Sequence, residues 1–208
     1  MELLVIGTGG LAREFTNFFR STIRVIGYSS VDDREFAEFK LSGKFFDSDV
    51  VPTDVGTRNC VVAVGDPFLR ERLVQDYKKR GFVFPNVIHE TVVSATDLQK
   101  LSSVGIVISP NCVLGSNIRM GNHIYMNFQV GVGHDAKIED FVQINPGAQI
   151  GGNTVVNEGV LVGSGSSIRQ NLKIGKQSRI GMGAVVLSSV NPGITVVGNP
   201  AKKMSFSS

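Results

Sequence analysis

An aliphatic residue recurs at every sixth position of this chain from Ile108 to Val186. The series is Ile108, Leu114, Met120, Met126, Val132, Ile138, Ile144, Ile150, Val156, Val162, Ile168, Ile174, Ile180 and Val186. A period of six differs from the period of an α-helix, about 3.6, and from the two-residue alternation of a half-buried strand. It is typical of hexapeptide repeats, which wind short strands into a parallel β-helix.

The residues between the aliphatic positions fit the same architecture. A mostly small or apolar residue follows four positions after each of them, as at Cys112, Ala136 and Ala148. Two inward positions per hexapeptide would fill a narrow prism, and three hexapeptides predict a triangular coil of about eighteen residues stacked on its neighbours. Glycine often follows the aliphatic residue directly, and we expect a tight corner with positive φ there. A β-sandwich has no reason to keep a strict period of six.

The first ninety residues alternate predicted strands and helices. We expect strands near residues 3–6, 24–28, 59–65 and 82–84, and helices near residues 11–19 and 68–80. This order favours a small parallel α/β domain with half of a Rossmann fold. The predicted domains are therefore residues 1–85, the α/β domain, and residues 86–208, the β-helix with its C-terminal cap.

A glycine-rich motif lies between the first predicted strand and helix. Residues 7–12 match G-x-G-x-x-G/A, and Asp32 follows about twenty residues later at the end of the next strand. The glycines let a phosphate approach the backbone, and the helix N-terminus offers free N–H groups. Because the domain ends near residue 85, we expect one nucleotide rather than a dinucleotide; a turn without a ligand is the alternative.

Composition and charge exclude several classes of protein. The net charge is only +3 with both signs interspersed, so neither a nucleic acid nor a membrane surface is indicated as a partner. No apolar run is long enough to span a bilayer, and the first residues do not resemble a signal peptide. Cys60 and Cys112 lie in apolar contexts and predict buried thiols in a reducing compartment. We therefore expect a cytoplasmic protein.

Short motifs in both predicted domains carry a resemblance to a known family. They are residues 7–12, 31–33, 63–66, 87–89, 133–135 and 198–202. In this order they resemble the PglD/NeuD-like bacterial sugar acyltransferases, which include the sialic acid O-acetyltransferase and the nucleotide 4-amino-sugar N-acetyltransferases. The resemblance implies a left-handed β-helix, a homotrimer, acyl-CoA between neighbouring β-helices, and a nucleotide-linked sugar on the N-terminal domain.

The resemblance also implies roles for individual residues. Those expected at the nucleotide-linked sugar are Gly10, Leu11, Ala12, Asp32, Asp33, Arg34, Gly65 and Asn127. Those expected at the acyl-CoA are Gln143, Gly163, Ser164 and Lys202. The chain departs from the family at Leu11 and Gln143, where relatives often carry histidine.

His134 is the candidate catalytic base among three histidines. Acyl transfer needs a base for the proton of the nucleophile, and imidazole suits that task at neutral pH. His134 matches the catalytic histidine of the family, and Asp135 follows it; a direct contact between them requires a local corner. Gly152 lies one coil period after His134, and its N–H is a candidate donor to the thioester oxyanion.

Together with these residues, the resemblance implies an acetyl-CoA-dependent N-acetyltransferase that acts by direct attack on the 4-amino group of a nucleotide-linked amino-deoxy sugar. O-acetylation of a sugar such as sialic acid stays open, as does the identity of the nucleotide. A zinc hydratase needs three clustered histidines, which His89, His123 and His134 do not supply by their spacing, so no metal is expected. The short nucleotide domain disfavours an NAD oxidoreductase. An ice-binding scaffold would need a threonine ladder, and the coils contain only Thr154.

Overall fold

A computed structural model describes residues 1–204, which divide into two compact units with the chain boundary between Pro85 and Asn86. The first unit contains β1 (Glu2–Ile6), α1 (Gly10–Phe18), β2 (Arg24–Ser30), α2 (Arg34–Glu38), β3 (Lys44–Asp47), α3 (Pro52–Val55), β4 (Cys60–Val62) and α4 (Pro67–Lys79). No helix within residues 1–204 has the length and apolarity to cross a membrane.

The four strands of the first unit form one parallel sheet in the order β3-β2-β1-β4. β1 lies inside the sheet with Leu3, Leu4 and Val5 fully buried, as its uninterrupted apolar run requires. Strand order reverses at β1, which has β2 on one side and β4 on the other. The loops after these three strands therefore meet at one edge, the usual ligand crevice of an open α/β sheet.

One strand of this sheet was missed by the sequence reasoning. β3 pairs with β2 and has half-buried Phe45 and Phe46, but glycine and lysine precede them and hide the pattern. The strand expected near residues 82–84 is only a single bridge between Asn59 and Val83. The mixed α/β character is as predicted, although the strands at both edges differ.

The second unit is built almost entirely from two-residue strands. They are β5 (Val87–Ile88), β6 (Val93–Ser94), β7 (Val107–Ile108), β8 (Val113–Leu114), β9 (Arg119–Met120), β10 (Tyr125–Met126), β11 (Gly131–Val132), β12 (Lys137–Ile138), β13 (Gln143–Ile144), β14 (Gln149–Ile150), β15 (Val155–Val156), β16 (Leu161–Val162), β17 (Ser167–Ile168), β18 (Lys173–Ile174), β19 (Arg179–Ile180), β20 (Val185–Val186), β21 (Thr195–Val197) and β22 (Lys202–Lys203). A short 3₁₀ helix, Leu98–Lys100, interrupts the first coil.

These strands form three parallel faces of a left-handed β-helix. The first face runs from β5 through β7, β10, β13, β16 and β19 to β21 and β22, the second contains β6, β8, β11, β14, β17 and β20, and the third contains β9, β12, β15 and β18. Tyr125 pairs with Gln143 and Val132 with Ile150, so one coil takes eighteen residues as predicted. β22 is the exception, because it turns back antiparallel to β21 and ends the stack.

The core of the β-helix is the column of side chains predicted from the period of six. All the aliphatic residues of the series are at most 8% exposed, and so are the residues four positions after each of them. Each coil therefore presents the same apolar cross-section to the next coil. Nearest-neighbour stacking of these layers stabilises the unit.

The explanation expected for the glycines that follow the aliphatic residues is wrong. Gly115, Gly133 and Gly163 do not have positive φ; instead, a Cβ on Gly133 would lie 2.5 Å from the Gly152 nitrogen in the next coil. Glycine is required there because neighbouring backbones approach closely. The left-handed conformation lies two residues further on, at Asn111, Asn117, His123, Gln129, Asp135, Phe141, Gly147, Asn153, Gly159, Gly165, Asn171, Gln177 and Gly183.

Candidate active site

His134 and Asp135 lie together at the corner between β11 and β12. The left-handed conformation of Asp135, with φ of 59°, turns the chain so that two adjacent side chains point the same way. His134 Nδ1 and Asp135 Oδ2 are 2.8 Å apart, and both side chains are exposed. An Nδ1–H that donates to this carboxylate leaves Nε2 as the basic nitrogen of the imidazole.

The other oxygen of Asp135 accepts a hydrogen bond from the coil before it. Asn117 Nδ2 donates to Asp135 Oδ1 over 2.6 Å. The hydrogen bonds from Asn117 and His134, with the positive charge of Arg119 nearby, hold the pKa of Asp135 below its usual value. Asp135 is therefore a carboxylate at neutral pH, and it faces the imidazole as a full negative charge.

Gly152 lies against the imidazole ring of His134. A Cβ built on Gly152 would lie 2.7 Å from Nε2 and 2.9 Å from Cε1 of His134, so the ring covers this glycine. Within residues 1–204 the Gly152 N–H donates no hydrogen bond, whereas the N–H groups of Gly151 and Asn153 on either side donate to the backbone. Gly152, beside Nε2 of His134, therefore has a backbone N–H that is available to a ligand.

An open cleft of about 630 Å³ surrounds this corner. Its lining residues are Asn117, Arg119, His134, Asp135, Lys137, Asn153, Val155 and Asn171. The sequence reasoning missed Asn117, although the eighteen-residue period applied to Asp135 leads directly to it. It also missed Arg119 and Lys137, which follow from the same period on β9 and β12 and give the cleft two cations.

The remaining predicted residues of the β-helix lie away from this cleft in one protomer. Asn127 is 5% exposed, and its Oδ1 accepts the Phe128 N–H over 2.8 Å. Gln143 is buried on β13 and donates to Asn145 Oδ1 over 3.0 Å. Both belong to the first face or the corner that follows it, whereas His134 lies between the second and third faces.

Three further residues predicted to contact the acyl donor also lie away from the cleft. Gly163 and Ser164 follow β16 at the corner between the first and second faces, where a Cβ on Gly163 would lie 2.5 Å from the Met182 nitrogen. Lys202 is exposed on β22. None of these residues lines the cleft around His134, so one protomer does not unite the predicted base with the predicted donor residues.

The glycine-rich loop of the first unit has the predicted position between β1 and α1. Gly7 has a φ of 109°, and Gly10 is the exposed first residue of α1. Gly65, after β4, faces Leu11, since a Cβ on Gly65 would lie 3.9 Å from Leu11 Cδ2. Ala12 departs from expectation, because it is fully buried and its side chain offers no surface to a ligand.

Charged residues at the edge of this loop form pairs among themselves. Arg34 donates from Nε and Nη2 to the two carboxylate oxygens of Asp32 over 3.0 and 2.8 Å, and these hydrogen bonds lower the pKa of Asp32. Asp33 is exposed just before α2. Glu35, which the sequence reasoning missed, accepts the Thr8 hydroxyl over 2.9 Å beside Gly9. A phosphate in this loop would face the charge of Glu35, so binding requires that side chain to turn away.

The other histidines and the cysteines lie outside this constellation. His123 is half-buried and stacks on Phe141 with ring centroids 5.1 Å apart. His89 Nδ1 lies 2.9 Å from the Thr91 hydroxyl. Burial raises the pKa of the Cys112 thiol to about 11, so it is a poor nucleophile. Among residues 1–204 no cluster of three histidine, cysteine or acidic side chains is arranged for a metal ion.

Comparison with known proteins gives a consistent class. Residues 135–170 match the model of the bacterial transferase hexapeptide (six repeats). The acetyltransferase domain of PglB from Neisseria gonorrhoeae, solved in complex with acetyl coenzyme A, is 26% identical, with 98% of each chain covered and a TM-score of 0.81. WeeI from Acinetobacter baumannii is 25% identical, with 98% of this chain and 100% of that chain covered and a TM-score of 0.72.

A third relative shares the fold at lower identity. PerB from Caulobacter crescentus, solved with CoA and GDP-perosamine, is 22% identical, with 99% of this chain and 98% of that chain covered and a TM-score of 0.83. The fold and these likenesses define the chain as an acyltransferase with a hexapeptide-repeat β-helix. Its resemblance to the bacterial sugar acyltransferases, first indicated by its motifs, is confirmed over both units.

Proposed function

We propose that the protein is an acetyl-CoA-dependent N-acetyltransferase that modifies the amino group of a nucleotide-linked amino sugar, with His134 as the general base. The observation that carries the proposal is the corner at which Asp135 holds Nδ1 of the imidazole while Nε2 contacts Gly152. The likeness to the acetyltransferase domain solved with acetyl coenzyme A supports the donor. The PerB complex with GDP-perosamine supports a nucleotide-linked amino sugar as the acceptor class.

In the proposed reaction both substrates bind together and no acyl-enzyme forms. The amine nitrogen of the sugar attacks the thioester carbonyl, and His134 Nε2 accepts the proton that the nitrogen loses. The C–S bond then breaks, and the sulfur of coenzyme A takes that proton from the imidazolium. A positioned general base of this kind contributes about 10²- to 10⁴-fold to the rate.

Two neighbours of His134 support this step physically. The carboxylate of Asp135 stabilises the imidazolium that forms when Nε2 takes up a proton, and it keeps the hydrogen of the neutral ring on Nδ1. We propose that the uncommitted N–H of Gly152 donates to the oxygen of the tetrahedral intermediate. One such donor is worth on the order of 10²- to 10³-fold in kcat.

We propose that the functional unit is a homotrimer in which a neighbouring subunit completes the site. The donor residues Gln143, Gly163, Ser164 and Lys202 lie away from the cleft of their own protomer. A second β-helix packed beside the cleft would supply them next to His134, with acetyl-CoA between the two. Size-exclusion chromatography with light scattering tests this, and a fully active monomer would contradict it.

The glycine-rich loop of the first unit is proposed to hold the nucleotide-linked sugar. The N-terminus of α1 offers free N–H groups to a diphosphate, and Gly10, Leu11 and Gly65 border the loop. Asp32, Asp33 and Arg34 lie at the end of the adjacent strand, where a ribose and base would extend. An enzyme that uses these two substrates is expected in the cytoplasm, with neither nucleic acid nor membrane as a partner.

The decisive experiment combines a substrate panel with a change of the base. Wild type and His134→Ala are incubated with acetyl-CoA and uridine, thymidine or guanosine diphosphate 4-amino sugars, and products are detected by mass spectrometry. We expect one N-acetylated product with wild type and a loss of at least about 10²-fold in kcat for the variant. Sialic acid in the same panel tests O-acetylation. Near wild-type activity of intact His134→Ala trimers would refute the proposal.

A further inference from the structure

We propose that Asn117 is a positioning residue that holds Asp135, and through it His134, in the catalytic orientation. The inference rests on the proposed function, since it concerns the base of that reaction. Its structural basis is a polar ladder on the corner between the second and third faces, made of Asn117, Asp135, Asn153 and Asn171. These residues are one coil apart, and all four have the left-handed conformation.

The hydrogen bonds of the ladder run in one direction. Asn117 Nδ2 donates to Asp135 Oδ1 over 2.6 Å, and Asn153 Nδ2 donates to Asn171 Oδ1 over 2.8 Å. An asparagine at each level would accept from the coil before it and donate to the coil after it. Asparagine side chains in this conformation therefore suit a stabilising stack that links successive coils.

Asp135 is the one carboxylate of the ladder, and this changes what the stack does. A carboxylate has no N–H, so Asp135 accepts from Asn117 but has nothing to donate to Asn153. Its second oxygen accepts from His134 instead. Because Asp135 has a carboxylate where the other three residues have an amide, the ladder at this level supports the imidazole of His134.

The support from Asn117 matters because the pair is exposed to solvent. His134 and Asp135 side chains are 63% and 49% exposed, so packing alone does not fix their rotamers. The hydrogen bond from Asn117 fixes one carboxylate oxygen and thereby aims the other at Nδ1. The charged groups that face the pair in the cleft are Arg119 and Lys137, and within residues 1–204 neither donates a hydrogen bond to Asp135.

Asn117→Ala tests the role through kinetics. We expect kcat to fall on the order of tenfold with KM for acetyl-CoA little changed, less than the roughly hundredfold that a 1 Å misplacement of a catalytic group can cost. In an Asp135→Gly background the same substitution should have no further effect, because glycine keeps the left-handed conformation but has no side chain for Asn117 to position. Asn111→Ala is the matched control, since Asn111 has the same left-handed conformation at another corner.

Asn117→Asp supplies a pH-dependent readout that a structural role would not give. Two carboxylates at this short distance repel each other at neutral and alkaline pH, and a shared proton restores the contact at lower pH. The ratio of variant to wild-type kcat should therefore rise as pH falls, while the ratio for Asn111→Ala stays level. Thermal melts of all variants show whether they fold.

The outcomes separate this inference from the proposed function. If wild type is active and His134→Ala is not, but folded Asn117→Ala has wild-type kcat, Asn117 has no positioning role. A loss for Asn117→Asp that is equal at every pH also overturns the inference. So does a loss for Asn117→Ala that adds fully to the loss of Asp135→Gly. Activity that survives in His134→Ala refutes the proposed base whatever Asn117 does.

Discussion

Gly152→Ala tests the geometry of the proposed site with a single methyl group. The new Cβ would lie 2.7 Å from His134 Nε2, 2.9 Å from Cε1 and 3.0 Å from Cδ2. Carbon and nitrogen atoms in van der Waals contact lie about 3.5 Å apart, so the ring must move by roughly 0.8 Å. The backbone itself accepts alanine, because Gly152 is not among the residues with positive φ.

The expected result is a folded protein with an impaired chemical step. A displacement near 1 Å costs up to about 10²-fold in rate, so we expect kcat to fall roughly tenfold to hundredfold, or about 1.4–2.7 kcal/mol of activation free energy. Stability should change little, since only an exposed ring gives way, and alanine reduces the entropy of the unfolded chain. The assay is steady-state release of free coenzyme A thiol, with thermal melts in parallel.

Two controls isolate the cause of that loss. Gly131→Ala also brings a Cβ against the far end of a side chain, in this case the exposed Gln149 on the second face. This variant should leave kcat unchanged. In a His134→Ala background, Gly152→Ala should cost nothing more, because the displaced ring is absent. Wild-type kcat and KM in folded Gly152→Ala would refute the claim that the contact between this glycine and the ring is part of the catalytic arrangement.

Three further predictions concern stability and reactivity. Gly133→Ala should lower the free energy of unfolding by about 1–3 kcal/mol in a denaturant titration, because the new Cβ would collide with the Gly152 backbone of the next coil. Unchanged stability would contradict the explanation that neighbouring backbones approach closely at this glycine. The hydrogen bond from Lys137 lowers the pKa of Glu139. The ionised Glu139 therefore stabilises the folded state at pH values above the ordinary glutamate pKa, and this stabilisation is lost as the pH falls through the lowered pKa of Glu139. Glu139→Gln should flatten that pH dependence in urea titrations, and an identical slope would refute it. Native Cys112 should resist a thiol-specific chromophoric reagent until urea is added, because it is buried and its pKa is raised to about 11; fast labelling of the native protein would refute this.

The β-helix could be predicted almost residue by residue, and the reason is its one-dimensional construction. Each coil repeats the contacts of the coil before it, so the period of six gave both the buried column and the register Val132 to Ile150. What the period alone did not reveal is which corner position has the left-handed conformation. That follows from the composition of the third residue after each aliphatic one, where asparagine, aspartate and glycine predominate.

The α/β unit was less predictable because its details depend on contacts between distant segments. The edge strand β3 forms by pairing with β2, and its short sequence has no alternation that indicates a strand by itself. Burial of Ala12 and the approach of Glu35 to Thr8 likewise depend on how α1 and α2 pack, which no local motif specifies. The glycine motif was therefore placed correctly, whereas the groups around it were predicted only in part.

The left-handed backbone conformation at the corners has two different effects, one on stability and one at the candidate site. At His123 and Phe141, one coil apart, it stacks two rings against each other and joins neighbouring coils. At Asp135 it turns a carboxylate back onto the preceding histidine, which an extended strand would point away. The proposed catalytic pair therefore needs no loop inserted into the β-helix: a regular corner provides the geometry, and an aspartate in place of an asparagine at one level provides the charge.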